Sequence, residues 1–85
     1  MNKEEKINIL NELFVTDWDT DGGEAVAYMY IENTQENVFR LLAIGVPEEE
    51  IADKTDFEGI EISSFVFSYG EAEYYQNGEF LDYTP

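Results

Sequence analysis

Cysteine and histidine are both absent from this chain. Without cysteine there is no disulfide framework and no thiolate metal site. Without histidine, the commonest general base and the commonest zinc ligand are gone. Basic residues are scarce: Lys3, Lys6, Arg40 and Lys54 stand against 20 acidic residues, a formal net charge of -16 on 85 residues. No stretch approaches the roughly 20 apolar residues of a membrane span. The opening Met1-Asn2-Lys3-Glu4-Glu5-Lys6 holds no apolar run, so no signal peptide is expected and the setting is read as cytoplasmic. The charge also speaks against anionic membranes and against direct binding of nucleic acid. There is no Gly-rich phosphate loop and no nucleophile motif, so neither an enzyme nor a bound cofactor is expected.

What the chain does have is 44% hydrophobic and 15% aromatic residues, spread along its length. These are enough for one folded domain over residues 1–85 with a small aromatic-rich core. Residues 3–14 read as a helix, capped by Asn2 with Glu5 three residues on. Ile7, Leu10, Leu13 and Phe14 fall on one of its faces. Val15 to Gly23 reads as a polar loop and residues 24–32 as a strand. Asn33 or Thr34 caps a second helix running through Ile44, with Gly45 as its terminator. Pro47 opens a short third helix whose Glu48, Glu49 and Glu50 suit the positive end of the dipole. Ile60 to Tyr69 reads as a strand. Asn77-Gly78 turns a hairpin between Tyr74–Gln76 and Glu79–Tyr83. The expected fold is α+β: a small antiparallel sheet of about four strands, ending in a C-terminal meander, with two to three helices packed on one face.

Asp17-Trp18-Asp19-Thr20-Asp21-Gly22 resembles the first half of an EF-hand loop, whose alternating carboxylates converge on a hard cation. Asp17, Asp19 and Asp21 are therefore the candidate metal ligands. The pattern then departs: the twelfth position from Asp17 is Tyr28, where a bidentate Glu is required. Weak, adventitious cation binding at a solvated acidic turn is the competing reading.

On the strand at 24–32, Ala25, Ala27, Met29 and Ile31 form one face; Glu24, Val26, Tyr28, Tyr30 and Glu32 form the other. The first suits a core. The second sets tyrosines among glutamates, a composition at home in an interface. In the hairpin the two-residue turn pairs Gln76 with Glu79, Tyr75 with Phe80, Tyr74 with Leu81 and Glu73 with Asp82. Glu71, Glu73 and Asp82 are then expected on one face with Tyr75 and Phe80, and Glu73 opposite Asp82 is a repulsive pair. Carboxylates two residues apart on a strand are spaced about 6.7 Å, close to two phosphate steps along DNA, about 6.8 Å. An acidic hairpin that blocks edge aggregation is the plain alternative. Glu48 to Glu50 with Asp53, Asp56, Glu58 and Glu61 form a further acidic run, either a solvated face or an extension of the same surface.

In size, acidity and mixed α/β pattern the chain resembles the small phage-encoded inhibitors that mimic DNA, anti-CRISPR proteins among them. That resemblance implies a stoichiometric inhibitor occupying the basic nucleic-acid site of a host defence enzyme. Carboxylates would pair with the Lys and Arg that hold phosphates, and tyrosines would pack beside them. The residues expected at such a contact are Glu71, Glu73, Tyr75, Glu79 and Asp82, with Glu24, Tyr28, Tyr30 and Glu32 as a second set. Two other readings stay open: an immunity protein or antitoxin for a basic nuclease, and a calcium-binding module built on the half loop.

Overall fold

The computed structural model describes residues 1–20, 22 and 26–82. The first helix, α1 (Lys3–Leu10), begins with the expected capping box: Asn2 Oδ1 accepts the Glu5 N–H at 2.8 Å, and the Asn2 N–H donates to Glu5 Oε1 at 3.4 Å. It stops four residues earlier than expected. Glu12 and Leu13 donate to carbonyls only three residues back, tightening the chain into a turn that still buries Leu13.

The segment read as a polar loop is instead a strand, β1 (Val15–Thr20), antiparallel to β2 (Val26–Ile31). Its register shifts twice, between Val15 and Asp17 and between Asp19 and Thr20. Thr34 caps α2 (Gln35–Ala43) by accepting the Asn37 N–H. The helix ends in a Schellman arrangement: Val46 N–H reaches Leu41 O and Gly45 N–H reaches Leu42 O, with Gly45 at φ 105°. Pro47 is the N-cap of α3 (Glu48–Asp53) rather than its first helical residue.

The run Ile60 to Tyr69 is not one strand. It is divided between β4 (Gly59–Glu61), which pairs with both β2 and β3 (Thr55–Asp56), and α4 (Ser63–Ser68). Glu61 drives the change of direction. Its Oε1 accepts the Met29 N–H at 3.2 Å, the Ser63 N–H at 3.3 Å and the Ser63 hydroxyl. That carboxylate fastens the start of α4 to β2 where the β4 ladder has ended.

The main sheet therefore has four antiparallel strands in the order β1-β2-β4-β3. The C-terminal meander does not form. β5 (Tyr74–Gln76) and β6 (Glu79–Leu81) make a separate two-stranded sheet in the expected register, turned through Asn77 and Gly78 at φ 55° and 81°. Positive φ at both turn residues is the type I′ geometry that Asn-Gly favours.

One face of the sheet is buried. Met29, Ile31 and Ile60 are fully enclosed, and they share a single core with Leu10 of α1, Leu41 of α2, Ile51 of α3, Phe65 of α4 and Phe80 of the hairpin. Ile31 and Ile60 pair directly. Gly59 makes the approach of the two strands possible: a Cβ there would overlap the Ile31 carbonyl oxygen, and its φ is 130°.

Candidate functional site

Strand alternation sends Tyr28 and Tyr30 to the side opposite Met29 and Ile31. The register sets Asp19 beside Tyr28, Asp17 beside Tyr30 and, on the other flank, Glu61 beside Tyr30. Asp56 joins them from β3, where its Oδ2 accepts the Tyr30 hydroxyl at 3.0 Å. The open face of the sheet is thus a pair of tyrosines, ring centroids 6.0 Å apart, inside a ring of carboxylates. An open recess of about 460 Å³ lies at its edge, lined by Tyr28, Tyr30, Asp53, Lys54, Asp56 and Glu61 among others.

The tyrosines register this field. Tyr28 is pushed above its ordinary value of 10.0 by partial burial, then by the charges of Asp17, Asp19 and Glu58. Tyr30 is pushed up first by its hydrogen bond to Asp56, then by burial and by the charges of Asp56, Glu58 and Glu61. Both hydroxyls stay protonated donors at neutral pH, surrounded by acceptors.

The hairpin set is arranged differently from expectation. Glu71 lies outside the strands at φ 58°, and its carboxylate pairs with Lys6 Nζ at 2.9 Å. Lys6 holds Glu71 below the usual carboxylate value of 4.5. Glu73 pairs with Lys3 Nζ at 3.1 Å. Lys3 is raised chiefly by its bond to Glu73, with Asp82 and Glu71 adding to the same field. The expected Glu73–Asp82 repulsion is therefore answered by a cation lying near both. The aromatics expected beside these acids are not left open for contact. Phe80 is in the core, and Tyr75 is half-buried between Trp18, edge-on at 5.5 Å, and Phe80 at 4.7 Å. Glu79 is exposed beside the turn and Asp82 half-exposed after it.

Glu32 is exposed at the end of β2, where its backbone carbonyl accepts from the Asn37 side chain. Glu24 and Asp21 lie outside the described residues. Asp17 and Asp19 sit in a strand, so they are not wrapped round a cation as an EF-hand loop would hold them. Among the described residues no group of three or more His, Cys, Asp or Glu is placed to hold a metal ion. Of the further acidic run, Asp56, Glu58 and Glu61 belong to the tyrosine face. Glu50 is turned elsewhere, accepting the Tyr69 hydroxyl at 2.8 and 2.9 Å.

Placing Asp17, Asp19, Asp56 and Glu58 round Tyr28 and Tyr30 requires β1 and the β3–β4 hairpin, which sequence reasoning did not foresee. The alternation Asp17-Trp18-Asp19 was the available signal, because it has the period of a strand. No family model, curated protein or solved structure matches this chain.

Proposed function

We propose that this protein is an acidic inhibitor that blocks the basic nucleic-acid site of a partner protein, such as a host defence nuclease, by presenting carboxylates where phosphates would lie. The observation that carries this reading is the open sheet face. Asp17, Asp19, Asp56 and Glu58 surround Tyr28 and Tyr30, and the ion pairs of Lys3, Lys6 and Arg40 involve other acids: Glu73, Glu71 and Glu12. Among the described residues, the one basic residue lining the recess is Lys54, against Asp53, Asp56 and Glu61. Like charge in such excess costs a small domain stability. The carboxylates concentrated here are acceptors that suit a surface rich in Lys and Arg. The hairpin carboxylates Glu71 and Glu73 serve this role less well, because their charge is answered within the molecule.

The test is displacement. Purified basic nucleases and CRISPR effectors, each preloaded with labelled DNA or guide RNA, are titrated with the protein at low and physiological salt. The reading expects release from at least one of them, weakened by salt and by Asp17→Asn with Asp19→Asn, and no shift of free duplex DNA. Direct binding to the duplex, or release that ignores both salt and the double substitution, counts against it.

A further inference from the structure

The turn joining β3 to β4 is a two-residue tip, Phe57-Glu58, closed by the Asp56–Gly59 pair. Its geometry is supplied by other atoms: Asp56 Oδ1 accepts the Glu58 N–H at 2.8 Å, and Gly59 takes the positive φ. Nothing in the turn asks for a large apolar side chain, and such positions ordinarily hold Gly, Asn, Asp or Ser. Yet Phe57 stands there 96% exposed, the most exposed large hydrophobic residue described. Its ring contributes nothing to the core.

What could cover it is set by its surroundings. Asp56 and Glu58 flank it in sequence; Asp56 holds the Tyr30 hydroxyl, and the charge of Glu58 reaches Tyr28 and Tyr30. A second copy of this chain would bring its own net charge of -16 against that rim. An anionic lipid surface is repelled for the same reason. A cationic protein surface is the occupant that complements the rim. We infer that Phe57 is the apolar anchor of the acidic face, seated in an apolar notch of a basic protein. An aromatic anchor inside a polar rim is the usual anatomy of an interface hot spot. The charges would then govern association rate and Phe57 the lifetime of the complex. This inference rests on the proposed role of the acidic face.

Two synthetic helical peptides of equal length and equal arginine content test it. One carries a leucine stripe; the other has serine at those positions. The wild-type protein should bind both in a salt-dependent manner and the leucine peptide about tenfold more tightly, as burial of one large apolar side chain allows. Phe57→Ala should lower the leucine peptide to the level of the serine peptide and leave the salt dependence and the melting temperature unchanged. Asp17→Asn with Asp19→Asn should weaken both peptides alike. Phe39, 57% exposed on α2, is the control, and Phe39→Ala should keep the leucine preference. Retention of that preference in Phe57→Ala, or its loss in Phe39→Ala alone, refutes the anchor and leaves the acidic face standing. Failure of the wild type to bind either peptide overturns both.

Discussion

Asn11 holds the C-terminal hairpin to the first helix, and replacing it by alanine should loosen the whole molecule. In the hairpin, Tyr75–Phe80 is the pair next to Gln76–Glu79, which closes the turn. Bonded and non-bonded pairs alternate along an antiparallel ladder, so the Phe80 backbone turns its N–H and C=O away from β5. The Asn11 side chain meets both. Its Nδ2 donates to the Phe80 carbonyl at 3.0 Å and its Oδ1 accepts the Phe80 N–H at 2.7 Å. One side-chain amide thus acts as the third strand that this small sheet lacks, and a two-stranded hairpin alone is marginal in water. Each bond is worth about 0.5–1.5 kcal/mol net, and an unpaired buried group costs about 1–3 kcal/mol. The site is only partly buried, so about 2–3 kcal/mol is expected for Asn11→Ala. At about 4–8 °C per kcal/mol for a domain of this size, the melting temperature should fall by roughly 8–24 °C. Circular dichroism follows the global transition, and the fluorescence of Trp18, the sole tryptophan, follows the hairpin through its edge-on contact with Tyr75. Asn11→Asp sharpens the test. At neutral pH its carboxylate faces the Phe80 carbonyl and should cost at least as much. The folded state then favours the protonated acid, which can donate, so its pKa is raised and stability returns as pH falls through that raised value. An Asn11→Ala protein melting within about 2 °C of the wild type, less than one such bond predicts, refutes the reasoning.

Gly59→Ala should destabilise by about 3 kcal/mol or more, since the clash with the Ile31 carbonyl adds to a backbone conformation that alanine resists; chemical denaturation measures it, and a mild effect would mean that β2 and β4 part easily. On the alkaline side, Lys3 sits above its ordinary 10.5 chiefly through Glu73, and Tyr30 and Tyr69 sit above 10.0 chiefly through Asp56 and Glu50. A raised folded pKa contributes stability that is present below the unfolded value and lost as pH rises through the folded one. The melting temperature should therefore drop once pH climbs past about 10, and the tyrosinate absorbance of the folded protein should rise later than that of the urea-unfolded chain; coincident curves would contradict this. Calcium should bind only in the millimolar range, if it registers on Trp18 fluorescence at all, because Asp17 and Asp19 lie along a strand; micromolar saturation abolished by Asp19→Asn would reverse that ranking.

Local chemistry was readable from the sequence where it is self-contained. The Asn2 cap, the Thr34 cap, the Gly45 terminator and the Asn77-Gly78 turn each act over three or four residues, and each is found in place. The apolar run from Ile60 onward was not readable, because a short run of Ile, Phe and Val fits a buried strand or a buried helix equally well. Its outcome depends on Glu61 meeting the Met29 N–H, a partner 32 residues away. β1 was missed because its acids and the following Gly22-Gly23 suggest a loop, whereas pairing with β2 overrides that preference. The alternation of Tyr28 and Tyr30 against Met29 and Ile31 identified the right face of β2. The acids joining those tyrosines from β1 and β3 could not be assigned without the sheet order. The pairing of Lys3 and Lys6 with Glu73 and Glu71 is likewise invisible to any local pattern.

That pairing has a consequence for the order in which the molecule is made. Lys3–Glu73, Lys6–Glu71 and Asn11–Phe80 join positions 70, 65 and 69 residues apart. They form a clasp between the two ends of the described chain. Closing a loop of that length carries an entropy cost that grows with the logarithm of its span, and no local contact offsets it. A nascent chain carrying residues 1–70 lacks the hairpin partners of Lys3, Lys6 and Asn11, although Leu10 of its first helix can already join the core beside Phe65 and Val66. The clasp shuts only after Glu71 to Asp82 have been synthesised. Closure of the hairpin onto the first helix is then a late event, and unfolding should begin by opening the same clasp.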